Sequence, residues 1–281
     1  MRAIHLSVYG NPVDGLGVVD ISEPKAPGAN EVLVAMEYSP INPSDLLVAR
    51  GAYPLRPELP SVIGNEGVGR VVAVGPGVTS VAVGDRVLPP RSSWVWRERM
   101  VIPAKGLFPL PRNADPKQLA MLAINPPTAS LLLSDYVDLN RGDFVAQNAA
   151  NSGVGRWVIA FAKARGLRTV NIVRRPELVT DLQAAGGDLV LVDGPEVIQE
   201  IKKAVGGQRI PLAIDGVGGP ATGVLASVLG PGGTLVAYAP MSASPMVLNP
   251  LTLIFTPITV TGFFMGHAQW EDKCDRPLRS G

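Results

Sequence analysis

Residues 143–175 read DFVAQNAANSGVGRWVIAFAKARGLRTVNIVRR, and this stretch decides the fold. DFVAQNA has the composition of a buried strand, and Gly153 and Gly155 mark a turn. GRWVIAFAKARG is periodic as a helix, and RTVNIV is a second strand. Strand, glycine turn, helix, strand is a βαβ unit with its two strands parallel. The alternation continues downstream. PELVTDLQAAG predicts a helix, DLVLVD a strand, PEVIQEIKKAVG a helix, IPLAIDGV a strand and ATGVLASVLG a helix, before the strands GGTLVAYA and PITVTGFFMG. Such alternation predicts a doubly wound parallel sheet with helices on both faces. Upstream, ADPKQLAMLAINPPTASLLLSDYVDL has helical periodicity. Asn125-Pro126-Pro127 is expected to interrupt it, with Thr128 opening a new helix.

Before this region the character differs. EVLVAMEYSPINP, GVGRVVAVGPGV and GDRVLPP are short Val-rich runs broken by Gly and Pro. They predict a small barrel-like β domain whose turns use glycine for positive φ and proline for fixed φ. The expected organisation is a β domain over 1–115 and a parallel-sheet domain over 116–266. Residues 267–281, which lack a periodic face, are expected to form an irregular tail.

Composition removes whole chemistries. The formal charge of +1 leaves no basic surface for nucleic acid or an acidic membrane. No apolar run approaches the roughly 20 residues that cross a bilayer. The histidines are only His5 and His267, and the one cysteine is Cys274, too few for a zinc site or a Ser–His–Asp arrangement. No metal is expected, and a bound organic cofactor is expected to carry the reactive chemistry. A lone cysteine fits a reducing compartment, and MRAIHLSVYG reads directly into a strand, so the cytoplasm is the expected location.

The turn Asn148–Gly155 lies between strand and helix, where backbone N–H groups and the positive helix end meet a dinucleotide pyrophosphate. The match to G-x-G-x-x-G is partial, with Ala149 and Asn151 in place of early glycines. At the end of the next strand an NAD-binding fold usually places Asp or Glu. Here that position reads Arg174-Arg175-Pro176. Two guanidinium groups suit a 2′-phosphate, so the expected cofactor is NADPH.

Several longer segments match in order: INPSDLLVARGAYP (Ile41–Pro54), LPSVIGNEGVGRVVAVG (Leu59–Gly75), INPPTA (Ile124–Ala129), NAANSGVG, VNIVRRP, DGVGG, LVAYAPM and VTGFFMG. Together they resemble the zinc-independent branch of the medium-chain dehydrogenase/reductases, most closely the 2-enoyl thioester reductases. The resemblance runs from Met1 to about Gly266. It implies an α/β architecture: a GroES-like β-barrel catalytic domain followed by a Rossmann domain that binds NADPH. Tyr53 matches the family's active-site tyrosine. It is expected to donate a hydrogen bond to the enolate formed when hydride reaches the β-carbon. Position alone also fits a packed tyrosine. Asn42, in the NPSD segment that helps shape the active site, is the second catalytic candidate, and Asp45 reads better as a turn cap. Asn65 stands where zinc-bearing relatives carry a ligand histidine, and Glu66 beside it is expected to be structural.

The resemblance also implies the cofactor contacts. Asn125 and Thr128 match positions near the nicotinamide ribose. Asn151, Ser152, Gly153, Val154 and Gly155 match the pyrophosphate turn, and Arg174 and Arg175 the 2′-phosphate clamp. Tyr238, Met241, Phe263, Phe264 and Met265 match the nicotinamide end, although apolar residues beside strands are core more often than contacts. The implied activity is reduction of a trans-2-enoyl thioester, carried by CoA or acyl carrier protein. An NADPH:quinone oxidoreductase is the sister reading, and a cofactor-binding protein without turnover is a third. PITVTGFFMG, an apolar edge run, implies a homodimer. Family members usually run several tens of residues further, so the C-terminus is expected to be truncated.

Overall fold

In a computed structural model, which describes residues 1–270 and Lys273, the chain divides into two units, Met1–Ile124 and Asn125–Gly281. The first is built from the short Val-rich runs. β1 (Arg2–Leu6) is followed by α1 (Pro12–Gly15), β2 (Leu16–Asp20), β3 (Glu31–Tyr38), α2 (Pro43–Ala49) and β4 (Ser61–Val62). β5 (Val68–Val74), β6 (Arg86–Val87), β7 (Arg99–Pro103) and α3 (Pro116–Leu119) complete it. Two antiparallel sheets result, in the orders β2-β1-β4 and β6-β5-β3-β7. Alternate residues of β3 face inward, so Val32 and Val34 join Val71, Val87, Met100 and Ile102 in one core. The unit runs on to Ile124, past the boundary read from composition. Leu119 and Ala120 pack on Val68 and Leu110, and that burial ties the short α3 to the β domain.

The second unit follows the alternation. α4 (Asn125–Ser134), β8 (Phe144–Gln147), α5 (Gly153–Ala164), β9 (Arg168–Val173) and α6 (Val179–Ala184) come first. β10 (Leu189–Val192), α7 (Val197–Val205), β11 (Leu212–Asp215), α8 (Pro220–Val228), β12 (Thr234–Ala237), α9 (Pro250–Phe255) and β13 (Thr259–Gly262) follow. The six strands are parallel in the order β10-β9-β8-β11-β12-β13. Strands covered on both faces lose polar alternation, and every residue of β8 and β11 is buried. Helices present one apolar stripe. Val197, Ile201 and Val205 bury one face of α7, while Lys202 and Lys203 stay exposed. The order reverses between β8 and β11, the switch point at which such sheets bind ligands beyond their C-terminal strand ends.

Three local expectations need correction. Asn125-Pro126-Pro127 does not interrupt a helix; it opens α4, because prolines in a first turn remove only N–H groups that have no helical partner there. α9 went unread, as its apolar residues are exposed and give no core-facing stripe. The expected irregular tail begins with a short 3₁₀ turn, Ala268–Trp270. Trp270 is 5% exposed, and its ring centroid lies 5.5 Å from Phe263 and 6.1 Å from Tyr136. An indole removes enough apolar surface to dock a polar segment. Apart from Lys273, the tail beyond Trp270, with Cys274, lies outside the described residues. Among the described residues no helix is long and apolar enough to cross a membrane.

Candidate functional site

Each unit carries its own polar cluster. In the first, α2 starts at Asn42, whose N–H donates to Asp45 Oδ2 at 2.7 Å, while Pro43 supplies a φ ready for the first turn. Asp45 is therefore a cap, as its sequence context suggested. Its other oxygen accepts from Asn65 N at 2.9 Å. Asn42 Nδ2 donates to Glu66 Oε1 at 2.8 Å, and Ile124 N donates to Glu66 Oε2 at 3.0 Å. Asn65 Nδ2 reaches Ser44 Oγ at 3.2 Å, and its Oδ1 is buried without a partner. Both acids are 1% exposed. Burial dominates their titration, raising Asp45 to about 6 and Glu66 to about 7 despite the donors that hold them. Among the described residues no group of three His, Cys, Asp or Glu is placed to hold a metal.

Tyr53 is half-buried and packs with Leu6, Val48, Ala49 and Ile63. Burial, with a contribution from the Asp45 charge, raises the phenol above its ordinary value. The hydroxyl therefore keeps its proton at neutral pH, so an O–H is present to donate.

In the second unit the turn between β8 and α5 has the geometry of an anion cradle. Ser152 caps α5, its Oγ accepting from Gly155 N at 3.1 Å. Ala149 sits at φ +47°, a conformation glycine adopts at little cost, in a motif position usually held by glycine. A Cβ on Gly155 would lie 2.6 Å from Ala150 O, so backbone leaves no room for a side chain there, while one on Gly153 would lie 2.8 Å from Asn125 Nδ2 and displace that carboxamide. Across the switch point Asp215, fully buried, accepts from Asn148 Nδ2 at 2.7 Å, Val217 N and Gly218 N at 2.9 Å, and Thr222 Oγ1 at 2.5 Å. Gly216 N donates in turn to Asn148 Oδ1 at 2.7 Å. Tyr238 leans into this crevice, its hydroxyl 3.4 Å from Ser152 Oγ, and a Cβ on Gly216 would meet that hydroxyl at 2.6 Å.

The structure thus brings Asn125, Asn151, Ser152, Gly153, Gly155 and Tyr238 together at the strand ends. Arg174 and Arg175 are exposed at the end of β9, where Arg175 pairs with Glu177 at 3.6 Å and Arg174 makes no ion pair among the described residues. Thr128 is buried within α4. Val154 and Phe263 turn into the main core of this unit, and Met265 packs against that core. Met241 is 55% exposed, and Phe264 meets His267 edge to face. Sequence reasoning passed over Asn148 and Asp215. The available signal was an Asp ending a strand before Gly-Val-Gly-Gly, whose free backbone N–H groups call for a fixed acceptor.

The arrangement fits a dinucleotide: a glycine-bearing helix N-terminus for a pyrophosphate, and two exposed guanidinium groups at the next strand end. Comparison with known proteins agrees. The family model described as alcohol dehydrogenase GroES-like domain matches residues 28–112, and that described as zinc-binding dehydrogenase matches residues 153–276. The chain is 40% identical over 269 residues to a mitochondrial enoyl-[acyl-carrier-protein] reductase of Caenorhabditis elegans, a match covering 94% of this chain and 76% of that protein. It superposes on Etr1p of Candida tropicalis, solved with NADP and crotonyl-CoA, at a TM-score of 0.88 and 27% identity, covering 98% of this chain and 85% of that one. Against quinone oxidoreductase of Escherichia coli complexed with NADPH, the TM-score is 0.84 at 25% identity, covering 98% and 84%. With both domain models matched in order and an enoyl reductase 40% identical across 94% of this chain, the protein belongs to the medium-chain dehydrogenase/reductase family.

Proposed function

We propose that the protein is an NADPH-dependent reductase of trans-2-enoyl thioesters carried by CoA or acyl carrier protein. The observation that carries this reading is the 40% identity to an enoyl reductase across 94% of the chain. The turn at Ser152–Gly155 holds the pyrophosphate through backbone N–H groups, and Arg174 with Arg175 holds the 2′-phosphate. Bound there, NADPH supplies the hydride that the β-carbon accepts. Tyr53 donates its O–H hydrogen bond to the thioester oxygen as negative charge gathers on it, and a proton from water then reaches the α-carbon to complete the reduction.

The deciding experiment follows NADPH oxidation with crotonyl-CoA and, separately, with a simple quinone. Faster turnover of the thioester is expected. Faster turnover of the quinone would move the protein to the sister activity, which the likeness to quinone oxidoreductase supports. NADPH binding without turnover of either acceptor would leave a binding protein only.

Replacing Arg174 and Arg175 together by Ala is expected to raise the Kd for NADPH about 100-fold and that for NADH only a few-fold, because charge-assisted bonds to the 2′-phosphate are lost. Arg174 alone carries most of that effect, since Arg175 is shared with Glu177. Isothermal titration with both cofactors checks this, and equal losses would refute the clamp.

The same reading gives a homodimer joined at β13. Among the described residues no strand pairs with its outer edge, and α9, just before it in the chain, exposes Leu251, Ile254 and Phe255 at 56%, 69% and 77%. An open edge beside exposed apolar side chains favours pairing with a second copy. Light scattering is expected to give a dimer at micromolar concentration and a monomer after Ile254→Glu; a one-chain particle for the unaltered protein would overturn it. The single cysteine fits a reducing compartment, and the cytoplasm is our proposal for it. The relative in C. elegans is mitochondrial by name, and cell fractionation separates the two.

A further inference from the structure

Glu66 sits at the centre of the first unit's polar cluster and is 1% exposed. Its hydrogen-bond partners are neutral: Asn42 Nδ2 on one oxygen, and Ile124 N with the Ala123 backbone amide as the other donors. The charged side chain acting on it, Asp45 on α2, is another acid and makes burial harder still. A carboxyl group in such surroundings costs free energy that an apolar residue of similar size would not. Its chemistry therefore needs a reason beyond filling space. Geometry supplies one. Two donors approach two different oxygens, and of the uncharged or charged side chains of this length only a carboxyl accepts at both ends. A glutamine accepts at one end and turns an NH₂ group towards the second donor.

One of those donors is the side chain of Asn42, whose own N–H is already fixed by Asp45. The other is the backbone of the segment that closes the first unit, immediately before Asn125. Asn42 is thus held at its main chain by one buried acid and at its side chain by the other. A cap alone requires only the first.

We infer that Glu66 is a positioning residue for the reaction, acting through Asn42, and that its two oxygens lock the Asn42 carboxamide to the Ala123–Ile124 backbone. The inference rests on the reading of Asn42 as part of the active site. It assigns Glu66 more than the structural role its sequence context suggests.

The test is a double-mutant cycle of Glu66→Gln and Asn42→Ala, with NADPH and crotonyl-CoA as substrates, or the quinone if wild type prefers it. Glu66→Gln is expected to lower kcat/KM about 10- to 100-fold, because a buried N–H then faces another donor. On the Asn42→Ala background the same substitution is expected to change kcat/KM by no more than about twofold, because coupled residues are not additive. A merely structural Glu66 gives the same loss on both backgrounds, and that result, or full activity in Glu66→Gln, overturns the inference. A second measurement does not depend on turnover. The side-chain NH₂ signals of Asn42, identified by their disappearance in Asn42→Ala, are expected to move in Glu66→Gln when the NADPH-bound protein is observed by NMR. Unmoved signals overturn the contact itself. If wild type reduces neither acceptor, the proposed function fails, and the amide signals alone decide whether Glu66 holds Asn42.

Discussion

Tyr53→Phe is expected to lower kcat for a 2-enoyl thioester about 10²- to 10³-fold, the usual cost of removing one donor to a developing oxyanion. The ring keeps its packing on Leu6, Val48, Ala49 and Ile63, so the melting temperature should hardly change. NADPH affinity should also be preserved, because the residues proposed for cofactor binding belong to the second unit. Burial and the Asp45 charge both raise the phenol, so the wild-type hydroxyl stays protonated through neutral pH and the loss should be constant from pH 6 to 8. Steady-state kinetics, read beside a thermal melt, separate these effects. Unchanged turnover with intact NADPH binding would remove Tyr53 from the mechanism.

Asp215→Ala is expected to cost about 3–5 kcal/mol of stability, the range for removing one partner from a buried, charged hydrogen-bond network. The carboxylate is fully buried and satisfies Asn148, Val217, Gly218 and Thr222 at once, so its loss leaves several donors without an acceptor inside the sheet. Urea unfolding measures the change directly. NADPH binding should fall with it, since Asp215 and Asn148 together brace both sides of the crevice at the switch point. A loss below about 1 kcal/mol, comparable to a surface substitution, would show that water replaces the carboxylate without strain.

Much of the second unit was legible because parallel strands and their crossover helices write strong patterns. FVAQ and LAID read as continuous buried runs, and Val197, Ile201 and Val205 recur every four residues. The glycine turn before α5 was legible too, since close approach of helix and strand restricts residue choice at a fixed offset. What failed did so for identifiable reasons. Pro126 and Pro127 looked like a break, although the same ring that breaks a helix interior suits its first turn. α9 has no buried stripe, and Trp270 stands alone in a polar segment, so neither produces periodicity.

By itself, then, the sequence determined most of the strand–helix order and the parallel sheet, because these rest on neighbours a few residues away or on a pattern of fixed period. Only the tertiary structure decided which polar groups meet. Asn42 reaches Glu66 across 24 residues, and Asn148 reaches Asp215 across 67. The buried environment that raises both acids in the first unit is built by segments distant in the chain. Hydrogen bonds act over about 3 Å and burial depends on everything packed around a group. Neither is written in local spacing, so the roles of Glu66 and Asp215 emerge only when the chain has folded.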